Sequence, residues 1–213
     1  MPQNNDVDLL YLSFQKMEYS MRLFHFSDNP NISIFRPRPL RVHVDRPAGQ
    51  EWLNGSLVWT TDEAHELLYL FPRECPRIVF WPLPETTQTD RERWMGEATS
   101  STAIACIEQA WLSRFKFGQV FRYELPADCF EYTGEVGMWV CRTDVIPVSL
   151  THFSRLPAEL AERNIALRVF DRLTPLKNIW QSTLHASGIR LRNAQDWGKP
   201  GWTHSKPGRQ VII

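Results

Sequence analysis

Leu23-Phe24-His25-Phe26-Ser27-Asp28 is the first segment of the chain in which apolar and polar side chains alternate. A period of two predicts a β-strand over residues 22–26, with His25 and Ser27 on one face and the two phenylalanines on the other. An imidazole and a hydroxyl on one face are candidates to hydrogen-bond the hydroxyls or phosphates of a ligand. The alternative is a histidine with a purely structural role at the edge of a sheet.

The residues around this segment set the limits of the domain. Residues 1–20 are polar and weakly patterned, which predicts an N-terminal extension. A chain of 213 residues that is 43% hydrophobic can bury a substantial core, so we expect one domain over residues 21–197. Residues 198–213 have no helix or strand period and predict a basic, extended tail.

Short strands outnumber helices in the rest of the chain. Strand patterns occur at residues 57–60, 77–81, 102–107, 120–125, 138–142, 145–150 and 165–170, and helix patterns at 62–71, 89–95, 157–163 and 175–185. Thr60 with Glu63, and Thr89 with Glu92, have the spacing of capping boxes. The pattern predicts a mixed fold of strands and short helices.

Charge and cysteine content exclude several classes of protein. Twenty-four basic and 24 acidic side chains cancel, so any phosphate recognition must be local. The four cysteines lie far apart without a C-x-x-C pair, so we expect buried thiols and no metal site. The N-terminus lacks the pattern of a secretory signal, and no apolar stretch reaches the roughly 20 residues of a membrane span. We therefore expect a cytoplasmic protein with no membrane partner.

Asp62 and His65 are three residues apart at the start of a predicted helix and should face the same side. This spacing suits an acid/base pair or two metal ligands. The alternative is that Asp62 stabilises the helix N-terminus and His65 is an ordinary surface residue. A third carboxylate, Glu135, lies in a glycine-containing loop, where it could stabilise an oxocarbenium ion or orient a ribose hydroxyl.

Basic residues are concentrated at two places. Arg36 and Arg38 lie in a stiff, proline-rich stretch that could clamp a phosphate, or that could be a solvated loop. Arg190, Arg192 and the neighbouring Asn193 begin a basic C-terminal segment in which Trp197 and Trp202 could stack on nucleic-acid bases. The alternative is that these tryptophans dock on the body of the fold.

Five stretches resemble a bacterial family of small cytosolic proteins of unknown function. They are LFHFSDNPNISIFRPRP (23–39), VWTTDEAHELLYLFPRECPRIVF (58–80), AIACIEQAWLSRF (103–115), FRYELPADCF (121–130) and IRLRNAQDW (189–197). The resemblance spans residues 21–197 and carries little chemistry with it.

The order of LFHFS, VWTTDEAHELLYLF, FRYELPADCF and GMWVCRTDVIPVSL (137–150) also resembles the ADP-ribosyltransferase fold. This resemblance implies an α+β fold in which mainly antiparallel strands form two small sheets around a cleft, flanked by short helices. It implies NAD as the substrate, with His25 at the adenosine ribose and with Trp59 and Tyr69 as walls of the nicotinamide pocket. Further binding residues would be Phe24, Ser27, Thr60, His65 and Trp139.

The late strand departs from that family, in which a glutamate usually opens it. Here Met138 and Trp139 open the strand, so Glu135 or Asp62 would have to supply the carboxylate. We expect an enzyme that acts at the N-glycosidic bond of a nucleotide or nucleoside, with Glu135, Asp62 and His25 as catalytic candidates. The alternatives are a DNA or RNA base glycosylase and a non-catalytic module that binds nucleotide or nucleic acid.

Overall fold

Within the part of the chain that the structure describes, ten strands form two sheets that face each other. The structure, a computed structural model, describes residues 21–40 and 45–198. In chain order the strands are β1 (Leu23–Ser27), β2 (Val58–Asp62), β3 (Arg77–Trp81), β4 (Ala103–Glu108), β5 (Val120–Leu125), β6 (Glu131–Tyr132), β7 (Met138–Cys141), β8 (Ser149–Phe153), β9 (Ile165–Phe170) and β10 (His185–Ile189). The first sheet has the order β6-β7-β2-β1-β5-β8 and is antiparallel throughout. The strand that carries His25 therefore lies in its middle.

The second sheet is smaller and has the order β10-β3-β4-β9. Its pairs are antiparallel except for β4 with β9, which run parallel. All residues of the central strand β4 are buried, as its unbroken apolar run requires. In the described part of the chain, three α-helices join the strands, together with short 3-10 helices: α1 (Gln88–Met95), α2 (Gln109–Phe117) and α3 (Leu156–Glu162).

Apolar side chains form one layer between the sheets and one behind each of them. Val79 and Phe115 belong to the layer between the sheets, and Phe80 to the layer behind the second sheet. Leu23 and Tyr123 belong to the layer behind the first sheet. Because successive side chains of a strand point to opposite faces, β3 supplies both of its neighbouring layers.

The predicted α+β fold of two mainly antiparallel sheets with short helices is confirmed. Most predicted strands lie within two residues of their observed bounds. The strand predicted over 145–150 is an exception, since β8 begins only at Ser149. Pro147 has no N–H to give to a ladder, and Val145 forms an isolated bridge with Phe35 instead.

Both predicted capping boxes are wrong. The helix predicted over 62–71 is a 3-10 helix, Glu63–Tyr69, whose cap is Asp62 and not Thr60. Helix α1 is capped by Thr87 and not by Thr89. Asp and Thr are both good N-cap residues, so the pattern alone does not choose between neighbouring candidates.

The helix predicted over 175–185 is wrong in its second half. Its first half is a 3-10 helix, Thr174–Gln181, after which the chain enters β10. The segment HASGI has little intrinsic strand preference, and pairing with β3 along all five residues holds it in place. The sequence pattern did not predict α2 either.

Part of the basic C-terminal segment belongs to the folded body. Trp197 is 2% exposed and its ring lies 6.0 Å from that of Trp180. This matches the alternative in which a tryptophan of this segment docks on the fold. The predicted extension 1–20, residues 199–213 of the predicted tail and Trp202 lie outside the described residues.

The cysteines behave in two ways. Cys75 and Cys106 are free and buried, as predicted, and burial raises the pKa of each thiol to about 12. Cys129 and Cys141 form a disulfide, with their Cα atoms 5.5 Å apart, that ties the segment after β5 to β7. The sequence spacing did not predict this pairing.

Candidate functional site

The first sheet opens between its two central strands, β1 and β2. The strands pair over only two residues of β1, Leu23 and Phe24. The same register would next bring His25 opposite Thr60 and then Phe26 opposite Trp59, but the described residues form neither pair. Strand β1 stays paired with β5 along all five of its residues, so β2 is the strand that diverges. At the opening, backbone N–H and C=O groups that a continuous sheet would pair with each other therefore face a cleft.

His25 lies half-buried at this opening. Its Nδ1 is 2.8 Å from the carbonyl oxygen of Trp59. Because a carbonyl only accepts, Nδ1 carries the proton and Nε2 is left as a hydrogen-bond acceptor. Burial lowers the pKa of His25 to about 4, and the charges of Arg73 and Arg38 act in the same direction. At neutral pH, His25 is uncharged and can accept a hydrogen bond from a ligand hydroxyl.

A cavity of about 160 Å³ lies at the opening, between the two sheets. Strands β1, β2 and β7 line it on one side, and the start of β3 and the end of β10 line it on the other. We call it the aromatic cavity, because its lining includes Phe24, Phe26, Trp59, Tyr69 and Phe71. A cavity of roughly 150 Å³ accepts a benzene ring, so this one has room for a single planar ring.

Two of the aromatic walls are held by specific contacts. The rings of Phe26 and Tyr69 are stacked at 5.8 Å with an angle of 20° between their planes. The Tyr69 hydroxyl donates to the sulfur of Met138 at 3.2 Å, which ties this wall to β7. Flat, fixed aromatic faces suit the recognition of a planar heterocycle.

Thr61 brings an unsatisfied hydroxyl to the cavity lining. The residue is 2% exposed, and its Oγ1 has no hydrogen-bond partner among the described residues. A buried polar group left without a partner costs about 1–3 kcal/mol. The neighbouring Thr60, which also lines the cavity, donates its hydroxyl to the carbonyl of Trp139 at 3.3 Å. Thr61 is therefore the threonine that is available to a ligand.

Arg73, Arg77 and Arg190 line one end of the cavity, which we call the arginine end. Arg77 is 2% exposed and donates to the carbonyls of Leu68 and Cys75 at 2.7 and 2.9 Å. Arg190 has a left-handed backbone, with φ of 56°, and its Nε donates to the carbonyl of Arg73 at 3.3 Å.

Asp62 and His65 lie together, as their spacing predicts, but they do not belong to the cavity lining. The Asp62 carboxylate accepts from the backbone N–H of His65 at 3.0 Å and from its Nδ1 at 2.6 Å. Burial of Asp62 opposes ionisation, but these hydrogen bonds outweigh it and lower the pKa of Asp62. No group of three His, Cys, Asp or Glu side chains in the described residues is arranged to hold a metal ion.

Glu135 lies in the turn before β7, also outside the cavity lining. Its carboxylate forms an ion pair with Arg46, whose guanidinium lies 5.7 Å from the ring of Trp59. Burial raises the pKa of Tyr69, and the negative charge of Glu135 adds to this effect. The field of Glu135 therefore reaches a wall of the cavity.

The predicted binding residues divide into those that line the cavity and those that lie elsewhere. The first group is Phe24, His25, Ser27, Trp59, Thr60, Tyr69 and Arg190. Arg36 pairs with Asp144 at 3.6 Å, and Arg38 is exposed. Arg192 and Asn193 both contact Glu74, at 3.1 and 2.7 Å. Trp139 packs on Tyr132. Of the arginines predicted from the sequence, only Arg190 is part of the cavity lining.

The sequence analysis missed Phe26, Thr61, Phe71, Arg73 and Arg77, which also line the cavity. Both faces of β1 contribute to the lining, because β2 diverges beside it. A signal for the two arginines was present, since they stand four residues apart in the stretch FPRECPR, where each directly follows a proline and Arg77 opens β3.

No helix of the described residues combines the length and apolarity that a membrane crossing would need. Searches of curated proteins and of solved structures gave no significant match. A family model described as a family of unknown function, DUF6886, matches residues 24–194. This range runs from β1 to beyond Arg190 and contains the whole lining of the aromatic cavity. The chain therefore belongs to the family of unknown function DUF6886.

Proposed function

We propose that the protein is an enzyme that cleaves the N-glycosidic bond of a nucleotide, with NAD as the substrate, in the manner of an ADP-ribosyltransferase. One observation carries the proposal: an aromatic cavity of about 160 Å³ opens where β2 leaves β1, and a neutral histidine stands at the opening. The cavity suits a planar base, and Nε2 of His25 suits a sugar hydroxyl.

The leaving base decides which N-glycosidic bond fits this site. When the bond to C1′ breaks, its electron pair passes to the ring nitrogen and positive charge develops on the sugar. The nicotinamide of NAD is cationic while it is bonded and leaves as a neutral molecule, so it needs no general acid. An oxygen of water or of an acceptor then adds to C1′ and loses its proton.

The titrating groups near the cavity agree with a leaving group that needs no proton. With its pKa lowered to about 4 by burial, His25 holds no extra proton at neutral pH. Asp62 is ionised as well, because the hydrogen bonds from His65 outweigh burial and lower its pKa. A base glycosylase that must protonate its leaving base is therefore less well supported than an NAD-dependent enzyme. Most of the basic tail that favoured a nucleic-acid substrate lies outside the described residues.

Glu135 is the better candidate for the carboxylate that stabilises charge on the sugar. Its negative charge acts on Tyr69 in the cavity wall, and it directly precedes the turn into β7, which supplies Met138 to the lining. A carboxylate near the mouth of an apolar cavity stabilises a developing cation more strongly than it would in water.

A non-catalytic nucleotide-binding module is the second candidate. Glu135 is already paired with Arg46, and Asp62 with His65. A carboxylate that faces a guanidinium, as Glu135 does, stabilises a nearby cation less than a free one does.

The two candidates are separated by incubating the protein with NAD and measuring free nicotinamide by chromatography. We expect release that is reduced at least about tenfold by Glu135→Gln, from the lost charge stabilisation, and by His25→Ala. His152→Ala is the matched control, because His152 lies on exposed β8 beside Gln119, away from the lining. Duplex and single-stranded DNA are tested in parallel for release of free base.

Absence of nicotinamide and free base from all samples, with NAD binding unchanged in Glu135→Gln and His25→Ala, would leave the binding module as the function. A cytoplasmic location is part of the enzymatic proposal. The Cys129–Cys141 disulfide weighs against it, because disulfides persist mainly in oxidising compartments.

A further inference from the structure

The arginine end holds three positive charges at one wall of the aromatic cavity. Arg190 donates to the carbonyl of Arg73, and the charges of Arg73 and Arg77 are both close enough to interact with that of Arg190. All three residues belong to the lining. Like charges at this proximity repel one another, so the arrangement costs free energy unless an anion compensates it.

The protein itself compensates these charges only in part. Glu74 lies 3.7 Å from Arg190, but it is shared with Arg192 at 3.1 Å. Among the described residues, neither Arg73 nor Arg77 forms an ion pair with a carboxylate, and Arg77 is buried against backbone carbonyls. The charge of Glu74 also acts on Arg73 and Arg77, so one carboxylate serves four guanidinium groups. Buried positive charge that is only partly compensated is expensive in a folded protein, which points to a further anion supplied from outside.

The field of the arginine end extends along the cavity. Burial accounts for most of the fall in the pKa of His25, and Arg73 adds to it. Tyr69, whose pKa is raised by burial, feels the charges of Arg77 and Arg190 in the opposite direction. The lining also contains one acidic residue, Asp28, beside the three arginines. A cleft with such an excess of positive charge and with apolar walls concentrates anions.

We propose that the arginine end binds the phosphate of a phosphorylated nucleoside whose base occupies the aromatic cavity. This inference rests on the proposed function for the identity of the base, and it adds that the ligand must carry a phosphomonoester or diphosphate. Guanidinium groups present paired N–H donors that match phosphate oxygens. His25, which is neutral and offers an acceptor, contacts a hydroxyl of the sugar between the base and the phosphate. Arg36 and Arg38 are not part of the lining, so the proposal does not assign the phosphate to them.

The test compares two ligands that differ by one phosphate, nicotinamide riboside and nicotinamide mononucleotide, by calorimetry with the full chain. We expect the mononucleotide to bind at least roughly tenfold more tightly, and Arg73→Gln to reduce this ratio to near one. Arg73 is the preferred variant, because its guanidinium makes no hydrogen bond or ion pair among the described residues. Arg190→Gln is the second variant, with its fold checked by circular dichroism.

Two control variants remove the same charge from other places. Arg36→Gln acts on the exposed proline-rich stretch, and Arg192→Gln removes the other partner of Glu74 without touching the lining. Both should keep the full phosphate-dependent gain in affinity. A ratio near one in the unmodified protein, or an equal loss in Arg36→Gln and Arg73→Gln, overturns the inference. If neither ligand binds, inorganic pyrophosphate is titrated, and its binding must depend on Arg73 for the inference to stand.

Nicotinamide release from NAD is measured in parallel with the same variants. If nicotinamide is released but the phosphate gives no gain in affinity that depends on Arg73, the inference about the arginine end is wrong and the proposed enzymatic function stands. If the phosphate gives a gain in affinity that depends on Arg73 but no nicotinamide is released, the proposed enzymatic function is wrong and the anion site stands.

Discussion

Nδ1 of His25 and the carbonyl oxygen of Trp59 are 2.8 Å apart, on two neighbouring strands that have already separated. The imidazole replaces the backbone N–H that would have met this carbonyl in a continued ladder. This side-chain hydrogen bond gives the Trp59 carbonyl a donor although β2 diverges from β1. It also requires a neutral ring, since burial opposes a charged one.

The stability of the fold should depend on pH through His25. Its pKa is lowered by burial from 6.5 in the unfolded chain to about 4 in the fold. As the pH falls from 6.5 toward 4, His25 binds a proton in the unfolded chain but not in the folded protein, so the free energy of unfolding decreases. The contribution is on the order of 2–3 kcal/mol, and it is fully present above pH 6.5.

Urea unfolding at several pH values measures this dependence. His185, whose pKa burial also lowers to about 4, should add a similar contribution. We expect His25→Gln, which can still donate to Trp59, to remove about half of the pH dependence between 6.5 and 4. An unchanged slope in this variant would contradict the assignment.

Replacing Thr61 with Val should stabilise the protein and weaken ligand binding. The change removes a buried hydroxyl that has no partner among the described residues, which we expect to raise the free energy of unfolding by up to about 1 kcal/mol. Thermal unfolding with and without nicotinamide mononucleotide measures both effects. Thr60→Val is the matched control and should destabilise, because it breaks the hydrogen bond to Trp139. Destabilisation by Thr61→Val would show that its hydroxyl is already satisfied.

Gly137 is required both by its backbone and by its contact with His65. Its φ is 73°, and a Cβ at this position would lie 2.5 Å from Cγ of the His65 ring. Gly137→Ala should therefore destabilise by about 1 kcal/mol from backbone strain, with a further loss from the displaced imidazole. Gly49→Ala is the control, since Gly49 also has a positive φ but no atom within 4 Å of its Cβ position. Equal effects of the two changes on urea unfolding would mean that the contact with His65 contributes nothing.

Glu66 joins three parts of the fold and should be costly to remove. It is 8% exposed and pairs with Arg122 of β5 and, at 3.3 Å, with Arg163 after α3. Glu66→Gln leaves Arg122 buried without its carboxylate, and we expect a loss of about 3 kcal/mol in urea unfolding. Glu63→Gln, a surface carboxylate three residues earlier, should cost less than about 1 kcal/mol.

The disulfide should stabilise the first sheet. Cys129 and Cys141 are 12 residues apart, and a loop of this length corresponds to about 3 kcal/mol of stabilisation in the chain-entropy model. Cys129→Ser should lower the free energy of unfolding by this order. In the unmodified protein, a thiol reagent should label two cysteines after unfolding without reductant and four after reduction. Four labelled cysteines without reductant would show that the pair is not oxidised.

Local patterns predicted those strands whose own residues favour an extended chain. Arg77–Trp81, Val120–Leu125 and Ile165–Phe170 contain β-branched and aromatic residues and have the predicted bounds. The strand His185–Ile189 has few such residues and is held by its partner β3, which a local window does not contain. Intrinsic strand propensity predicts a strand where the segment's own residues favour an extended chain. It does not predict one where pairing with a distant segment holds the chain extended.

The same limit applies to the site. His25, Trp59 and Tyr69 were predicted and do line the cavity, because each belongs to a patterned segment whose order resembled a known arrangement. Arg73 was missed, since its role depends on the approach of Arg190, more than a hundred residues later in the chain. Charge clusters of this kind form only when segments that are distant in the sequence come together in the folded protein.

The chain crosses from one sheet to the other more than once, and this order has a consequence for biosynthesis. Strands β1 and β2 belong to the first sheet, β3 and β4 to the second, and β5 to the first again. Leu23 finds its partner Leu125 only after both segments have left the ribosome. Until then β1 can pair only with β2, and its other edge has no partner, which is the kind of edge that can pair with another chain. The histidine of the site is therefore among the first folded residues to be synthesised, but its strand is not enclosed in the sheet until β5 has followed it.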